Sequence, residues 1–286
     1  MKKIKHLFAN LSLVIGVLIG GVSLTPPITY AATVSDFNNH PNKANIDFVL
    51  QNKIMSKYSD GSFKPDEIIT QSQMIASLVT IFQLKDKEEV KEIPVDNWDK
   101  DMYEKAKKAG VLESITINPN QKLNKEEAGH LISNAFKNSR TLQQKGGTFS
   151  QTLTLMGWLP KGGTYKGEML LTRGDAARTF SIVHRYKTGM DQGEKSAKKF
   201  DADLKIEKNT IKGTVPKIGG LKQNVSILLK NGKSLNYKDG QSFKINLVDV
   251  VNIAYTTSLT SGNSDYMAWY LYDQLPLLNK KNRLLK

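Results

Sequence analysis

The sequence predicts a multidomain α plus β chain, a helical repeat region followed by a small β-sandwich. Three observations carry this. A unit of about fifty residues recurs three times with helical apolar spacing. Beyond residue 200 the apolar period changes to two. The charge changes with it. Residues 32–194 hold 22 basic and 20 acidic side chains, whereas residues 195–286 hold 16 and 7, a net +9. At 286 residues and 39% hydrophobic content the chain is long enough for two cores. It has no cysteine, which excludes disulfides, zinc-thiolate and iron–sulfur sites and a Cys nucleophile. Its four histidines, His6, His40, His130 and His184, are scattered.

Residues 1–31 read as a secretory signal peptide. Lys2, Lys3 and Lys5 precede an apolar stretch from Leu11 to Leu24, Pro26-Pro27 stops any helix, and Thr29-Tyr30-Ala31 offers small residues where a signal peptidase reads. The alternative is an uncleaved anchor, but the stretch is about 14 residues against the ~20 that span a bilayer. Cleavage near Ala31 lowers the net charge from +14 to +11 and leaves an exported chain without a membrane span.

The three units occupy residues 33–86, 92–138 and 145–187. Each has a short first helix, expected at Ile46–Asn52, Trp98–Ala109 and Gln151–Met156. Second helices open at Thr70, Asn124 and Thr172, whose side-chain oxygens can cap the first amides. Three residues later stand Gln73, Glu127 and Asp175 as capping-box partners, Asp being the least typical. Ile69, Leu123 and Leu171 precede the caps as staples to Met74, Ala128 and Ala176. Apolar residues then follow at helical spacing: Leu78 and Phe82, Leu131 and Phe136, Phe180 and Val183. One such unit cannot bury its apolar face alone, whereas three adjacent copies share a core. The polar, Gly-containing stretch 188–199 reads as a linker, with a helical end as the alternative.

From 200 to 286 the pattern is that of a β-sandwich of about seven short strands. They are expected at Ala202–Glu207, Thr210–Val215, around Val225, Ile227 and Leu229, around Leu235 and Tyr237, around Phe243 and Ile245, at Val250–Ser258 and at Met267–Tyr272. Asn231-Gly232 and Asp239-Gly240 read as hairpin turns. Tyr266, Trp269, Tyr270 and Tyr272 form an aromatic cluster, read as sandwich core or as a sugar platform.

Asp60-Gly61-Ser62-Phe63-Lys64-Pro65 with Ile69-Thr70, Leu171-Thr172-Arg173-Gly174-Asp175-Ala176, and Val95-Asp96-Asn97-Trp98 with Gly110-Val111 resemble the motifs of S-layer homology domains of bacterial surface proteins. The resemblance covers residues 34–187. It implies a three-pronged, pseudo-threefold helical bundle that binds secondary cell-wall polysaccharide non-covalently, often through a pyruvylated terminal sugar. The motif arginine of that family maps onto Gln71, Lys125 and Arg173, so two of three positions depart from it. Ile211-Lys212-Gly213-Thr214-Val215 and Gln241-Ser242-Phe243 resemble bacterial immunoglobulin-like modules.

The residues themselves point the same way. A cation at the first helical position opposes the helix dipole, by about 0.3–1 kcal/mol when exposed. Free amides and a guanidinium together would make an anion site, and Arg can fork onto a carboxylate. Arg173 and Lys125 are therefore read as anion ligands or as structural cations, and Gln71 as the weakest candidate. Trp98 is read as a sugar-stacking ring or as core packing against Met102. Trp158 reads as core, and His130 and His184 as surface or groove-edge groups. Gly232-Lys233-Ser234 lacks the glycine a phosphate-binding loop needs at Ile227, and Tyr58 and Ser56 spoil a calcium loop at Asp60.

No cofactor and no metal are expected. The leading expectation is a non-enzymatic secreted protein held on the cell wall by its repeats, displaying the β region. Its partner would be an anionic wall polysaccharide, for which the resemblance implies a pyruvylated form as one option, rather than nucleic acid. A structural subunit of the surface layer, contacting other surface-layer proteins, is a second reading. A wall hydrolase anchored by the repeats is a third, although residues 195–286 hold no His or Cys and no carboxylate spacing singles out a pair.

Overall fold

The computed structural model describes residues 35–138, 149–159 and 162–259. The signal segment 1–31 and the strand and aromatic cluster expected from Tyr266 to Tyr272 lie outside the described residues. Six helices come first: α1 (Lys43–Gln51), α2 (Gln71–Phe82), α3 (Lys100–Lys108), α4 (Lys125–Asn138), α5 (Phe149–Met156) and α6 (Arg173–Asp203). Six strands follow: β1 (Lys205–Glu207), β2 (Thr210–Thr214), β3 (Leu221–Leu229), β4 (Ser234–Lys238), β5 (Ser242–Asn246) and β6 (Val250–Leu259).

The helices form three like pairs. Each first helix ends on a left-handed residue, Lys53, Gly110 or Gly157, with φ between 55° and 73°. The next amide reaches back to the helix in every pair: Ile54 N to Val49 O at 2.8 Å, Val111 N to Ala106 O at 2.9 Å and Trp158 N to Leu153 O at 2.8 Å. This turn drops Ile54, Val111 and Trp158 into the core. Thr70 and Asn124 make full capping boxes with Gln73 and Glu127. Thr172 accepts from Asp175 N at 3.1 Å, while the Asp175 carboxylate takes Asn42 Nδ2 at 3.2 Å.

Just before these caps the three units meet in a closed ring of backbone hydrogen bonds. Ile69 N donates to Leu171 O, Leu171 N to Leu123 O, and Leu123 N to Ile69 O, all at 2.9–3.0 Å. One continuous core surrounds the ring, with Leu78, Leu131, Phe136 and Phe180 at most 1% exposed. Burying each such side chain contributes about 1.5–3 kcal/mol. Phe136 lies edge-on to both Phe82 and Tyr186, tying α2, α4 and α6 together.

The linker expected at 188–199 is a correction: α6 runs through it without a break, for 31 residues. Its buried positions Val183, Tyr186, Gly193, Ala197 and Phe200 keep helical spacing across the stretch. Ion pairs one turn apart, Lys187–Asp191, Lys198–Glu194 and Lys199–Asp203, reinforce it. The first half of α6 belongs to the repeat core and its last turns to a second core.

That second core lies among two three-stranded antiparallel sheets, ordered β1-β2-β5 and β4-β3-β6. Alternation holds in β3, where Leu221, Gln223, Val225 and Ile227 are buried. Their partners across the ladder include Tyr255 for Val225 and Ile253 for Ile227. Asn231-Gly232 closes the β3–β4 hairpin, with Gly232 at φ +79° in a loop bounded by Leu229 N to Lys233 O. Asp239-Gly240 does not close a hairpin, because β4 and β5 sit in different sheets. Gly240 N instead donates to Val215 O, and Asp239 takes Gln223 N, so the turn is a corner between sheets. Phe200 from α6 contacts Phe243 and Tyr255, and Ser196 shares a hydrogen bond of 2.6 Å with the Tyr255 hydroxyl.

Candidate functional site

The three candidate positions Gln71, Lys125 and Arg173 are the first residues of α2, α4 and α6, so the ring places them around one centre. Their amides are not free. Gln71 N donates to Gln121 O, Lys125 N to Met169 O and Arg173 N to Glu67 O. The second amides go to Pro119 O, Gly167 O and Pro65 O, and the third go to the caps. Each helix start is thus covered by a neighbouring loop. The anion site made of helix amides that the sequence leads one to expect is not formed at these three helix starts. What remains is side-chain chemistry, and the three positions use it differently.

Gln71 is 1% exposed and fully engaged. Its Nε2 donates to Thr116 O at 3.0 Å, and its Oε1 accepts from the Tyr103 hydroxyl at 2.8 Å and Asn118 N at 2.9 Å. Burial, with Asp99 nearby, holds the Tyr103 phenol far above its usual pKa, so it stays a neutral donor. Lys125 is 8% exposed, with Nζ 3.8 Å from the Asp175 carboxylate. Both side chains therefore join the units together. Gln71→Ala should cost about 1–3 kcal/mol of stability by orphaning Tyr103 and Asn118. Urea unfolding checks this expectation.

Arg173 is different. It is 3% exposed. Its Nε donates to Phe63 O at 2.8 Å and its Nη2 to Ser56 O at 2.9 Å. The guanidinium lies over the rings of Tyr58 and Phe63, at 4.6 and 4.7 Å. Burial draws its pKa below the usual arginine value, against the pull of Tyr58, Glu67 and Asp36. No carboxylate pairs with it among the described residues, and Nη1 has no partner there. The loop that receives it is built locally. Asp60 Oδ1 accepts from Ser62 N at 2.8 Å around Gly61, and Asp36 accepts from the Phe63 and Lys64 amides.

Arg173 and Trp98 meet in one cavity of about 210 Å³, lined also by Met55, Lys57, Tyr58 and Gln73. Trp98 is 67% exposed. It precedes α3, which begins at Lys100, so the expected start of that helix and the packing of Trp98 into the core are both corrected. The reason is Asp99. It is 2% exposed and accepts from the Ser72 hydroxyl at 2.5 Å, which pins the chain and leaves the neighbouring ring outside. The cavity therefore joins an open indole face to a cation with unspent donor capacity. A planar apolar ring edge and a carboxylate on one small polar ligand would satisfy both.

A like cavity of about 240 Å³ lies at Gln71. Thr116 O stands to Gln71 there as Ser56 O stands to Arg173. Its lining has the Glu127 carboxylate and no arginine or lysine, and His130 on its edge is stacked on Phe149 at 3.8 Å. Its charge disfavours an anion. The structure thus brings Arg173 and Trp98 together, and leaves Gln71 and Lys125 as joints elsewhere on the ring. Tyr58, Lys57 and Gln73 were not singled out as lining residues from the sequence. Only the aromatic before the Asp-Gly turn offered a signal, since the pairing of Tyr58 with Arg173 spans more than a hundred residues. Trp158 is buried. Among the described residues no group of three or more His, Asp or Glu is placed to hold a metal ion. No helix there is long and apolar enough to cross a membrane.

Residues 35–75 match the family model of the S-layer homology domain. The match takes in α1, the loop that receives Arg173, and the start of α2. No curated protein matches the chain.

Proposed function

We propose, from the S-layer homology domain at residues 35–75, that the chain is an exported, non-enzymatic surface protein anchored to a bacterial cell wall. Domains of this kind bind cell-wall polysaccharide in general. Here the binding site is the cavity of Trp98 and Arg173, and its ligand is an anionic polysaccharide with a carboxylate at or near the chain end, such as a pyruvylated sugar. All three helix pairs act as one pseudo-threefold bundle, in which Gln71 and Lys125 hold the prongs and Arg173 alone keeps donor capacity for a ligand. The β region is the displayed part, an immunoglobulin-like sandwich.

The single observation that carries this reading is the juxtaposition of a 67% exposed indole with a buried guanidinium that has no anionic partner among the described residues. A carboxylate entering the cavity supplies the missing countercharge where water is scarce, and a bidentate contact there is worth more than a surface ion pair. The test is sedimentation of the chain lacking residues 1–31 with purified wall sacculi. Binding that disappears when the polysaccharide is stripped supports the reading, and binding to stripped sacculi contradicts it.

A further inference from the structure

A third and larger cavity, of about 710 Å³, opens where α1, α6 and the approach to β3 come together. Its size is that of a small-molecule site, typically ~300–1,000 Å³. Three features define what it takes. Among the described residues the titratable and charged groups that line it are Arg178, His184 and Arg185, all on α6, with no carboxylate. Arg178 sits one helical turn before Ser181, whose Oγ donates to Asn45 Oδ1 of α1 at 2.8 Å. Among the described residues the Arg178 guanidinium makes one bond, a long one of 3.4 Å from Nη1 to Met156 O. Phe48 forms an apolar wall, edge-on to the His184 ring at 5.4 Å. On the far side Gly219 and Gly220 present bare backbone, and a Cβ on either would meet open space.

The geometry points to a binding site for an anionic sugar, a uronic acid or a sugar phosphate, held by Arg178 through its charged group and by Phe48 through its ring face, with Arg185 lining the same space. The shared chemistry is an oxyanion on a hydroxyl-rich ring. Arginine matches the flat or tetrahedral oxyanion with paired donors, and Thr188 and Gln192 line the same space for hydroxyl groups. Because β3 completes the wall, a bound sugar here bridges the repeats and the β region. This site is separate from the Trp98 cavity and does not rest on how that cavity is read, since the two share no lining residue.

The test uses the chain lacking only residues 1–31, with glucuronate, glucose 6-phosphate and glucose as probes, followed by the His184 ring signals in NMR. Glucuronate or glucose 6-phosphate should shift His184 saturably, and glucose should not. The tighter of the two anions identifies the charged group. The Arg178→Gln, Arg185→Gln double variant should weaken binding at least tenfold. Gly219→Phe, which fills the cavity and leaves both arginines in place, should abolish it even if the double variant fails to fold. Trp98→Ala should leave the His184 shifts unchanged. Equal binding of glucose, undiminished binding in Gly219→Phe, or no shift at His184 with either anion would overturn the site.

Discussion

Arg173→Ala should lower the stability of the repeat region by about 3–5 kcal/mol and abolish polysaccharide binding together with it. The side chain spans from the start of α6 to the loop between α1 and α2, and among the described residues no other donor reaches Ser56 O or Phe63 O. Removing it leaves two shielded carbonyls without partners, at about 1–3 kcal/mol each, and a void between the Tyr58 and Phe63 rings. Arg173→Lys keeps a charge but cannot serve both carbonyls at once, so about half of the loss should return. Urea unfolding followed by helical circular dichroism measures both. A loss below 1 kcal/mol in the alanine variant would show that the guanidinium does not hold the loop.

Phe200→Ala should unfold the β region and spare polysaccharide binding. Phe200 is 1% exposed and sits against Phe243 of one sheet and Tyr255 of the other. Truncating a buried phenylalanine costs about 3–5 kcal/mol through lost transfer energy and the cavity left behind. A region of fewer than ninety residues has little stability to spare. Hydrogen exchange should show β2, β3, β5 and β6 losing protection, while α2 and α4 keep theirs. If protection in the strands is unchanged, the last turns of α6 are not part of that core.

The local chemistry was readable in the sequence, and long-range pairing was not. Thr70, Asn124 and Thr172 announced helix starts because a cap and its partner are three residues apart, and each does accept the expected amide. Leu123, Leu171 and Ile69 were legible as staples, but nothing in their spacing shows that their backbones close a ring. The same limit explains the amides of α2, α4 and α6. Their acceptors are carbonyls from other units, invisible to a reading by period. The stretch 188–199 was misread because Gly189 and Gly193 and its polar composition look like a linker. The helical spacing of Tyr186, Ala197 and Phe200 runs on beneath them. Asp239-Gly240 has the residues of a tight turn, and only the sheet order shows that it turns a corner. At the site, Trp98 was a candidate on residue type alone. Its exposure follows from Asp99 being drawn inward by Ser72, a contact across two units.

The central claim, that the Trp98 and Arg173 cavity binds wall polysaccharide, is tested most directly by calorimetry of Trp98→Ala with the purified polysaccharide. Trp98 is largely exposed, so its loss should change folding stability by no more than about 0.5 kcal/mol. Affinity should fall roughly tenfold, equivalent to about 1.4 kcal/mol, with Trp98→Phe in between. Affinity equal to that of the unaltered chain, in a variant of unaltered stability, would place the polysaccharide elsewhere on the molecule.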